Sequence, residues 1–312
     1  MHRVLLQMTG LILAGVWWRY RTPLGITAEE MRRALTGLVY VLLLPALVLM
    51  VLWEAPIGLD SLRIAAVAAV SLLAVLALAW GLYWVAGTAR PVAGALILAA
   101  AFPNVTYLGL PVLEQTLGPW ARSVAIQYDL FACLPLLLTV GVLVARVHGT
   151  RADLRHPLVA LLRVPALWAA LAAVALNLTA VPTPELARGW LAMLAGSVVP
   201  LMLFSLGLGL RWDTVRLAAV PQVAPVLVLQ LGLMPLIAWG LARGLGLEGG
   251  LLTAVVLEAA MPSMVLGLVI ADRYGLDTGI YAMAVTVSTA ASLATLPAWL
   301  LFLGGAGAPA AP

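Results

Sequence analysis

The 312-residue chain contains no lysine, one cysteine and three histidines, and only 10% of its residues are charged. The single thiol, Cys133, excludes a disulfide framework. His2, His148 and His156 fall at a terminus or in one connecting segment, so His and Cys side chains cannot assemble a metal cluster inside an apolar core. Nucleophile elbows, phosphate-binding loops and zinc-protease motifs are also missing. These absences predict a protein that is not an enzyme and holds no cofactor beyond a simple ion.

Apolar residues dominate instead, at 64% with a mean hydropathy of +1.09, against about half in soluble domains. Apolar runs of about 20 residues, the length that crosses a bilayer, recur throughout. We place ten spans at 4–18, 35–53, 64–86, 91–117, 120–145, 163–181, 186–210, 219–243, 249–272 and 278–303. The first is expected to be a retained short helix, because Trp18-Arg-Tyr-Arg21 follows it without a small-residue cleavage site. The sequence thus predicts an all-α polytopic membrane protein in the cell membrane.

The positive charge of the chain is carried by 17 arginines, which lie mainly in the gaps between apolar runs. Twelve of them follow odd-numbered spans: Arg19, Arg21, Arg32, Arg33, Arg90, Arg146, Arg151, Arg155, Arg163, Arg211, Arg216 and Arg273. Because positively charged loops stay in the cytoplasm, the odd-numbered loops are predicted to be cytoplasmic and both termini external. Arginines with this role indicate a lipid bilayer as partner and no nucleic acid.

The two halves of the chain resemble each other. Phe102-Pro103-Asn104 in the fourth span corresponds to Met261-Pro262-Ser263 in the ninth, and Leu44-Pro45-Ala46 corresponds to Val199-Pro200-Leu201. An odd number of spans per repeat inverts the second copy, an architecture common among secondary transporters. We therefore predict a first repeat at 1–147, a cytoplasmic linker at 148–162, an inverted repeat at 163–303 and a tail at 304–312. Chance matches between prolines are the alternative.

Prolines interrupt both of these spans. Pro103, Pro111 and Pro262 are expected to break the fourth and ninth helices, and such breaks persist in lipid only beside protein or a water-filled cavity. Paired interruptions point to a transporter's binding site, here formed where the two breaks cross. The nearby polar residues Asn104, Thr106, Tyr107 and Ser263 are candidate substrate ligands. Alternatively, they satisfy the carbonyls that the prolines free.

Two carboxylates lie inside predicted spans, where a charge is costly and usually functional. Glu258 precedes Pro262 by one helical turn, and Asp129 lies in the fifth span, beside the first break if helices pack in order. Either is expected to bind a coupling cation or a proton, and Asp129 is also a candidate substrate ligand. The alternative is a structural carboxylate that caps a broken helix. Glu114, Arg122 and Asp272 lie near span ends and are expected to be solvated.

The run Phe102-Pro-Asn-Val-Thr-Tyr-Leu-Gly-Leu-Pro111 resembles the fourth-span signature of the auxin efflux carrier family, which includes bacterial putative malate or malonate permeases. Leu257-Glu-Ala-Ala-Met-Pro262 and Tyr274-Gly-Leu-Asp277 look like its last two spans. The resemblance implies a scaffold of spans 1, 2, 6 and 7, a moving domain of spans 3–5 and 8–10, elevator-type alternating access, organic-anion substrates and a homodimer. Position 263 departs from the family by carrying Ser rather than an amide.

A more distant similarity to bacterial bile-acid sodium symporters concerns the driving ion. In those proteins a Glu before the ninth-span break binds sodium with an Asn at the fourth-span break and polar groups of the fifth span. Glu258, Asn104, Ser123 and Gln127 fall at comparable places here. This similarity implies a cation site at Glu258, with sodium or a proton as the ion.

The sequence thus favours a secondary transporter of small organic anions, carboxylates or auxin-like acids. A sodium-coupled symporter of a larger amphipathic acid and a membrane sensor that binds ligand without transport remain alternatives.

Overall fold

The computed structural model describes residues 2–151 and 162–305, and the regular elements within these ranges are helices. The predicted linker 148–162 and tail 304–312 lie largely outside the described residues. In chain order the helices are α1 (His2–Arg21), α2 (Ala28–Glu54), α3 (Leu59–Val85), α4 (Arg90–Ala101), α5 (105–117), α6 (Pro119–His148), α7 (Pro165–Leu178), α8 (Glu185–Gly196), α9 (Val198–Gly209), α10 (Leu217–Gly244), α11 (Gly249–Ala259), α12 (Gly267–Tyr274) and α13 (Thr278–Gly305).

Six helical stretches in the described ranges are long and apolar enough to cross a membrane. They are α2, α3, α6, the stretch Glu185–Thr214 that contains α8 and α9, α10, and α13 as far as Gly304. Shorter apolar helices, α4, α7 and α11, accompany them. The all-helical prediction is therefore confirmed, whereas the number of ten membrane spans stays a prediction.

The start of α2 differs from the prediction, which began the second span at residue 35 and left the preceding arginines in a loop. The helix begins at Ala28 because Thr27 and Glu30 form a reciprocal cap. Glu30 N–H donates to Thr27 Oγ1 at 3.3 Å, and Thr27 N–H donates to Glu30 Oε2 at 2.9 Å. Arg32 and Arg33 therefore lie on the first turns of a helix, where their side chains have fixed directions.

Four prolines inside helical runs each follow a widened, π-type turn by two residues. The pairs are Val39–Leu43 with Pro45, Val105–Gly109 with Pro111, Asp129–Cys133 with Pro135, and Val228–Leu233 with Pro235. A proline lacks an N–H and its ring clashes with the carbonyl four residues earlier. The wide turn displaces that carbonyl, so the helix continues. The predicted break at Pro111 is therefore wrong, since 105–117 is one helical run.

The helices form two packed groups. Helices α1, α2, α7, α8 and α9 contact mainly one another, and the remaining helices contact mainly one another, with fewer contacts between the groups. Within the first group α1 and α9 approach closely, since a Cβ added to Gly15 would overlap the Phe204 carbonyl and one added to Gly207 would overlap the Ile12 carbonyl. This close crossing joins the first helix to the second half of the chain.

The connections between helices gather at two ends of the molecule. At one end Arg19 Nη1 donates to the Leu208 carbonyl at 2.6 Å, and Arg151 N–H donates to the Tyr274 carbonyl at 3.1 Å. At the other end Trp53 Nε1 donates to the Val181 carbonyl at 2.8 Å. Odd-numbered predicted loops thus contact odd ones, and even-numbered loops contact even ones. This is the arrangement of helices that alternate in direction.

Candidate functional site

Two non-helical segments, 102–104 between α4 and α5 and 260–266 between α11 and α12, lie against each other. Asn104 N–H donates to the Pro262 carbonyl at 2.7 Å, and Met264 N–H donates to the Phe102 carbonyl at 2.9 Å. These bonds pair Pro103 with Ser263 in a short antiparallel bridge. We call this bridge the crossover. It brings together two breaks 159 residues apart, in a region where every residue of the bridge is buried.

Side chains satisfy several backbone groups that the breaks free. The Ala99 carbonyl would bond to residue 103 in a continuous helix, but proline has no N–H, and Ser263 Oγ donates to that carbonyl instead at 2.7 Å. Ser288 Oγ accepts from Ser263 N–H at 3.1 Å. The hydroxyl proton of Ser263 is therefore donated to a backbone carbonyl. This agrees with the alternative interpretation that the polar residues satisfy carbonyls freed by the prolines. Its oxygen retains a capacity to accept.

Gln230 of α10 supports the crossover and was missed by the sequence reasoning. Its Nε2 donates to the Met261 carbonyl at 2.9 Å, inside the second break, and the side chain is fully buried. One sequence signal was present: an amide in the middle of an apolar span, 159 residues after Ser71, which is the offset from Pro103 to Pro262. A polar residue in register with a break is thus a useful signal.

Asn104 is 1% exposed, and its Nδ2 has no hydrogen-bond partner in the described part of the chain. Its backbone carbonyl accepts from Leu108 and Gly109 at 3.2 and 3.0 Å and so starts α5. Thr106 Oγ1 donates to Asp129 Oδ2, which links α5 to α6, and the other carboxylate oxygen of Asp129 is unpartnered among the described residues. An amide donor and an acidic acceptor are therefore available beside the crossover.

Glu258 lies near the end of α11 and is fully buried, with no hydrogen-bond partner for either carboxylate oxygen in the described ranges. It contacts the second half of the other interrupted segment, since a Cβ added to Gly109 would overlap its carboxylate. A buried ionised carboxylate without a partner is costly, so Glu258 requires a cation or a proton.

The other candidate ion ligands lie on α6, which packs against α11. Gln127 is buried with an unpartnered Oε1, whereas Ser123 Oγ donates to the Trp120 carbonyl at 2.8 Å. No group of three or more His, Cys, Asp and Glu side chains lies together in the described ranges. A hard cation such as sodium would therefore need amide or carbonyl oxygens besides the Glu258 carboxylate. The unpartnered oxygens of Gln127 and Glu258 fit that donor chemistry.

Tyr107 lines a cavity of ≈ 110 Å³ between the two helix groups. The cavity is bounded by Arg32, Thr36, Tyr107, Ser205, Leu206, Val265, Leu266 and Val269. A second cavity, of ≈ 320 Å³, shares Arg32 and Val265 with it. From the sequence, Arg32 was expected to lie in a loop and to indicate only the orientation in the membrane.

Glu114 and Arg122 differ from the expectation that they are solvated. Arg122 Nη2 donates to Glu114 Oε1, and the two side chains are only 19% and 14% exposed. The pair joins α5 to the start of α6 near a cavity of ≈ 260 Å³ against α1, α8 and α9. Asp272, by contrast, is exposed and 3.7 Å from Arg151.

Comparison with known proteins supports a transport role. Residues 149–300 match a family model described as membrane transport protein. A curated relative, an uncharacterized transporter of Methanothermobacter thermautotrophicus, is 34% identical over 121 residues. That match covers 39% of this chain and 39% of the relative, so the chain aligns with about two fifths of the relative's length.

Together with the membrane-length helices of the described ranges, these matches indicate a multi-pass membrane protein that is similar to membrane transporters. The resemblance to the auxin efflux carriers is confirmed at this level. Residues 149–300, just under half of the chain, are similar to the membrane transport protein family.

Proposed function

We propose that the protein is a secondary active transporter of small organic anions, carboxylates or auxin-like acids, which bind at the crossover. One observation carries the proposal: two helix breaks pair with each other, and the buried Asn104 amide nitrogen has no hydrogen-bond partner among the described residues. A buried unsatisfied donor costs about 1–3 kcal/mol. A ligand acceptor at Asn104 Nδ2 would recover that free energy, with Thr106, Tyr107, Ser263 and Asp129 as neighbouring polar groups.

The transport cycle we propose is an elevator, in which one helix group carries the crossover past the other. The division of contacts into two groups supports it, because fewer contacts cross the boundary that would have to slide. The group of α1, α2 and α7–α9 would be the static scaffold and the dimer contact. Ten membrane crossings in two inverted repeats, with both termini external, complete the proposed architecture.

The coupling ion is proposed to bind at Glu258, either as sodium with Asn104, Ser123 and Gln127 nearby or as a proton. The unpartnered oxygens of Glu258 and Gln127 support this assignment.

The substrate site is tested by thermal-shift isotherms of purified variants with malonate, malate and indole-3-acetate. Asn104→Ala removes the amide, and Pro262→Ala lets the chain between α11 and α12 form helical backbone hydrogen bonds. Both variants should therefore bind the acids at least about tenfold more weakly. Asn177→Ala is the control, because Asn177 is an amide that caps the carbonyls of Trp53 and Ala55 away from the crossover, each at 2.8 Å. It should lower stability and leave affinity unchanged. Unchanged affinity in both crossover variants would remove the crossover as the site.

Counterflow of the labelled acid in proteoliposomes tests turnover. A transporter exchanges internal unlabelled acid for external labelled acid, whereas a sensor with the same binding site gives no exchange.

A further inference from the structure

Arg32 lies where the two helix groups face each other. It projects from the first turns of α2 and lines both the ≈ 110 Å³ cavity and the adjoining ≈ 320 Å³ cavity. The larger cavity is also lined by Arg19, Arg211 and Glu29. Arg211 is also paired with Asp213 at 3.2 Å. Three guanidinium groups thus face two carboxylates, and the cleft keeps a positive excess that favours an anion.

Arg32 has hydrogen-bond donors that are not paired within the described part of the chain. Arg32 Nη2 bonds to Glu29 Oε2 at 3.2 Å, but Arg32 Nε is buried without a partner in the described part of the chain. Glu29 is also 3.6 Å from Arg19, so one carboxylate serves two cations. A guanidinium offers a planar fork of donors that matches a carboxylate with two parallel bonds. Arg32 therefore retains donor capacity for a second carboxylate.

The smaller cavity connects Arg32 to the crossover segments. Its wall contains the side chains of Tyr107, three residues after Asn104, and of Val265, two residues after Ser263. Thr36 and Ser205 add hydroxyl groups from the other helix group. A volume of ≈ 110 Å³ has room for a carboxylate group. An anion held there touches both helix groups at once.

We infer that Arg32 binds the substrate carboxylate on its path to the crossover, in a subsite formed with Tyr107, Thr36 and Ser205. This inference rests on the proposed function and adds a specificity-determining residue from the opposite helix group. Glu29 occupies part of the Arg32 fork and competes with the incoming carboxylate. Because the Arg32 guanidinium is positively charged, the subsite selects an acid over a neutral molecule of the same shape.

The experiment compares ligands that differ only in charge. Malonate and indole-3-acetate are titrated against malonamide and indole-3-acetamide by thermal shift on the full chain. The variant is Arg32→Gln, and the control is Arg33→Gln, which removes an exposed arginine from the next position of the same helix. Arg32→Gln leaves Glu29 paired with Arg19, so no charge is orphaned. Arg32→Lys and monodispersity on a sizing column report on folding.

We expect Arg32→Gln to weaken binding of the acids about tenfold or more, with binding of the amides unchanged. Arg33→Gln should bind both as wild type does, Arg32→Lys should fall between, and Glu29→Gln should bind the acids more tightly. Equal acid affinities of Arg32→Gln and Arg33→Gln would overturn the inference while leaving the proposed function intact. Wild type that binds neither acids nor amides would overturn the proposed function and the inference with it.

Discussion

At Glu258 the fold buries a carboxylate with no hydrogen-bond donor beside it among the described residues. Removing an isolated charge from water is costly unless a counter-charge or a proton compensates it. A carboxylate at the end of α11 gains nothing from apolar surroundings, so its position there needs another explanation. Its contact with Gly109 of the opposite interrupted segment makes its ionisation state a property of the crossover as a whole.

Glu258→Gln should therefore abolish ion-dependent stabilisation. If wild type binds sodium there, its folded state should gain about 2.7 kcal/mol at a sodium concentration one hundred times the Kd. The glutamine variant should gain none, because it keeps the shape and loses the charge. If Glu258 carries a proton, the variant should instead lose the pH dependence of uptake in proteoliposomes under an imposed pH gradient.

The matched control for this measurement is Glu248→Gln. Glu248 is exposed and lies just before the same helix, α11, so the charge change is identical but the carboxylate is solvated. The control should respond to sodium and pH as wild type does. A Glu258→Gln variant that matches wild type in both assays would make Glu258 a structural residue and leave Asp129 as the ion ligand.

Gly109→Ala tests the same site without changing any charge. The new Cβ would overlap the Glu258 carboxylate and must displace it, so the sodium or pH response should weaken while the protein remains inserted. Gly232→Ala is the control, because Gly232 also lies in a π-type turn but has open space around its Cβ position. Thermal shift across a sodium titration measures both. An equal response in the two variants would separate Gly109 from the ion site.

Sequence reasoning found the residue types of the site but not all of their partners. Asn104, Asp129 and Glu258 stood out because polar groups inside apolar spans are costly. The commitment of the Ser263 proton to the Ala99 carbonyl could not be read in advance, since it depends on a contact between chain positions 164 residues apart. The prediction for Arg32 was wrong for a simpler reason: it placed the residue in a loop, whereas the Thr27 cap starts the helix before it.

At the scale of helices, the prolines show how interrupted and continuous segments differ. Pro103 and Pro262 lie in stretches where the chain leaves the helix and pairs across the crossover. Pro111 follows a π-type turn and the helix continues through it. Helix-breaking tendency alone predicts three breaks. Whether a helix breaks at a proline also depends on whether a second segment offers hydrogen-bond partners to the freed backbone groups. That segment lies far away in the sequence, so the sequence around the proline does not reveal it.

The α1–α9 crossing gives a stability prediction for the first helix group. Gly15→Ala would place a Cβ against the Phe204 carbonyl, where backbone cannot yield cheaply, and should lower the free energy of unfolding by about 1–3 kcal/mol. Gly10→Ala is the control on the same helix, because nothing lies within 4 Å of its added Cβ. Thermal unfolding of both variants in one detergent measures the difference. Equal stabilities would show that the helices separate to admit the methyl group.

At the scale of the whole molecule, hydropathy gave the helix content and the approximate bounds, because the bilayer fixes the length and apolar character of a spanning segment. The grouping of helices was not visible in composition. It depends on particular close approaches, such as Gly15 against α9 and the pairing of the two breaks. Contacts between loops then show which loops lie at the same end of the molecule. They do not show which end faces the cytoplasm.

The arginine distribution predicts which end is cytoplasmic, and cysteine labelling tests this prediction. Arg151 lies at the end that Tyr274 and Asp272 share, and Arg188, 2.6 Å from Glu54, lies at the opposite end. In a Cys133→Ser background, Arg151→Cys should resist an impermeant thiol reagent in intact cells and Arg188→Cys should react. Both arginines are exposed, so accessibility depends on sidedness rather than on burial.

Inside-out vesicles provide the control, since the two reactivities should exchange there while the Cys133→Ser parent stays unlabelled. The replaced thiol is buried beside the Pro103 carbonyl, and serine keeps a donor for that oxygen. If Arg151→Cys reacts in intact cells and Arg188→Cys does not, the odd-numbered loops are external. The ≈ 320 Å³ cleft with Arg32 would then open to the outside, and the same carboxylate subsite would serve uptake from the medium rather than capture from the cytoplasm.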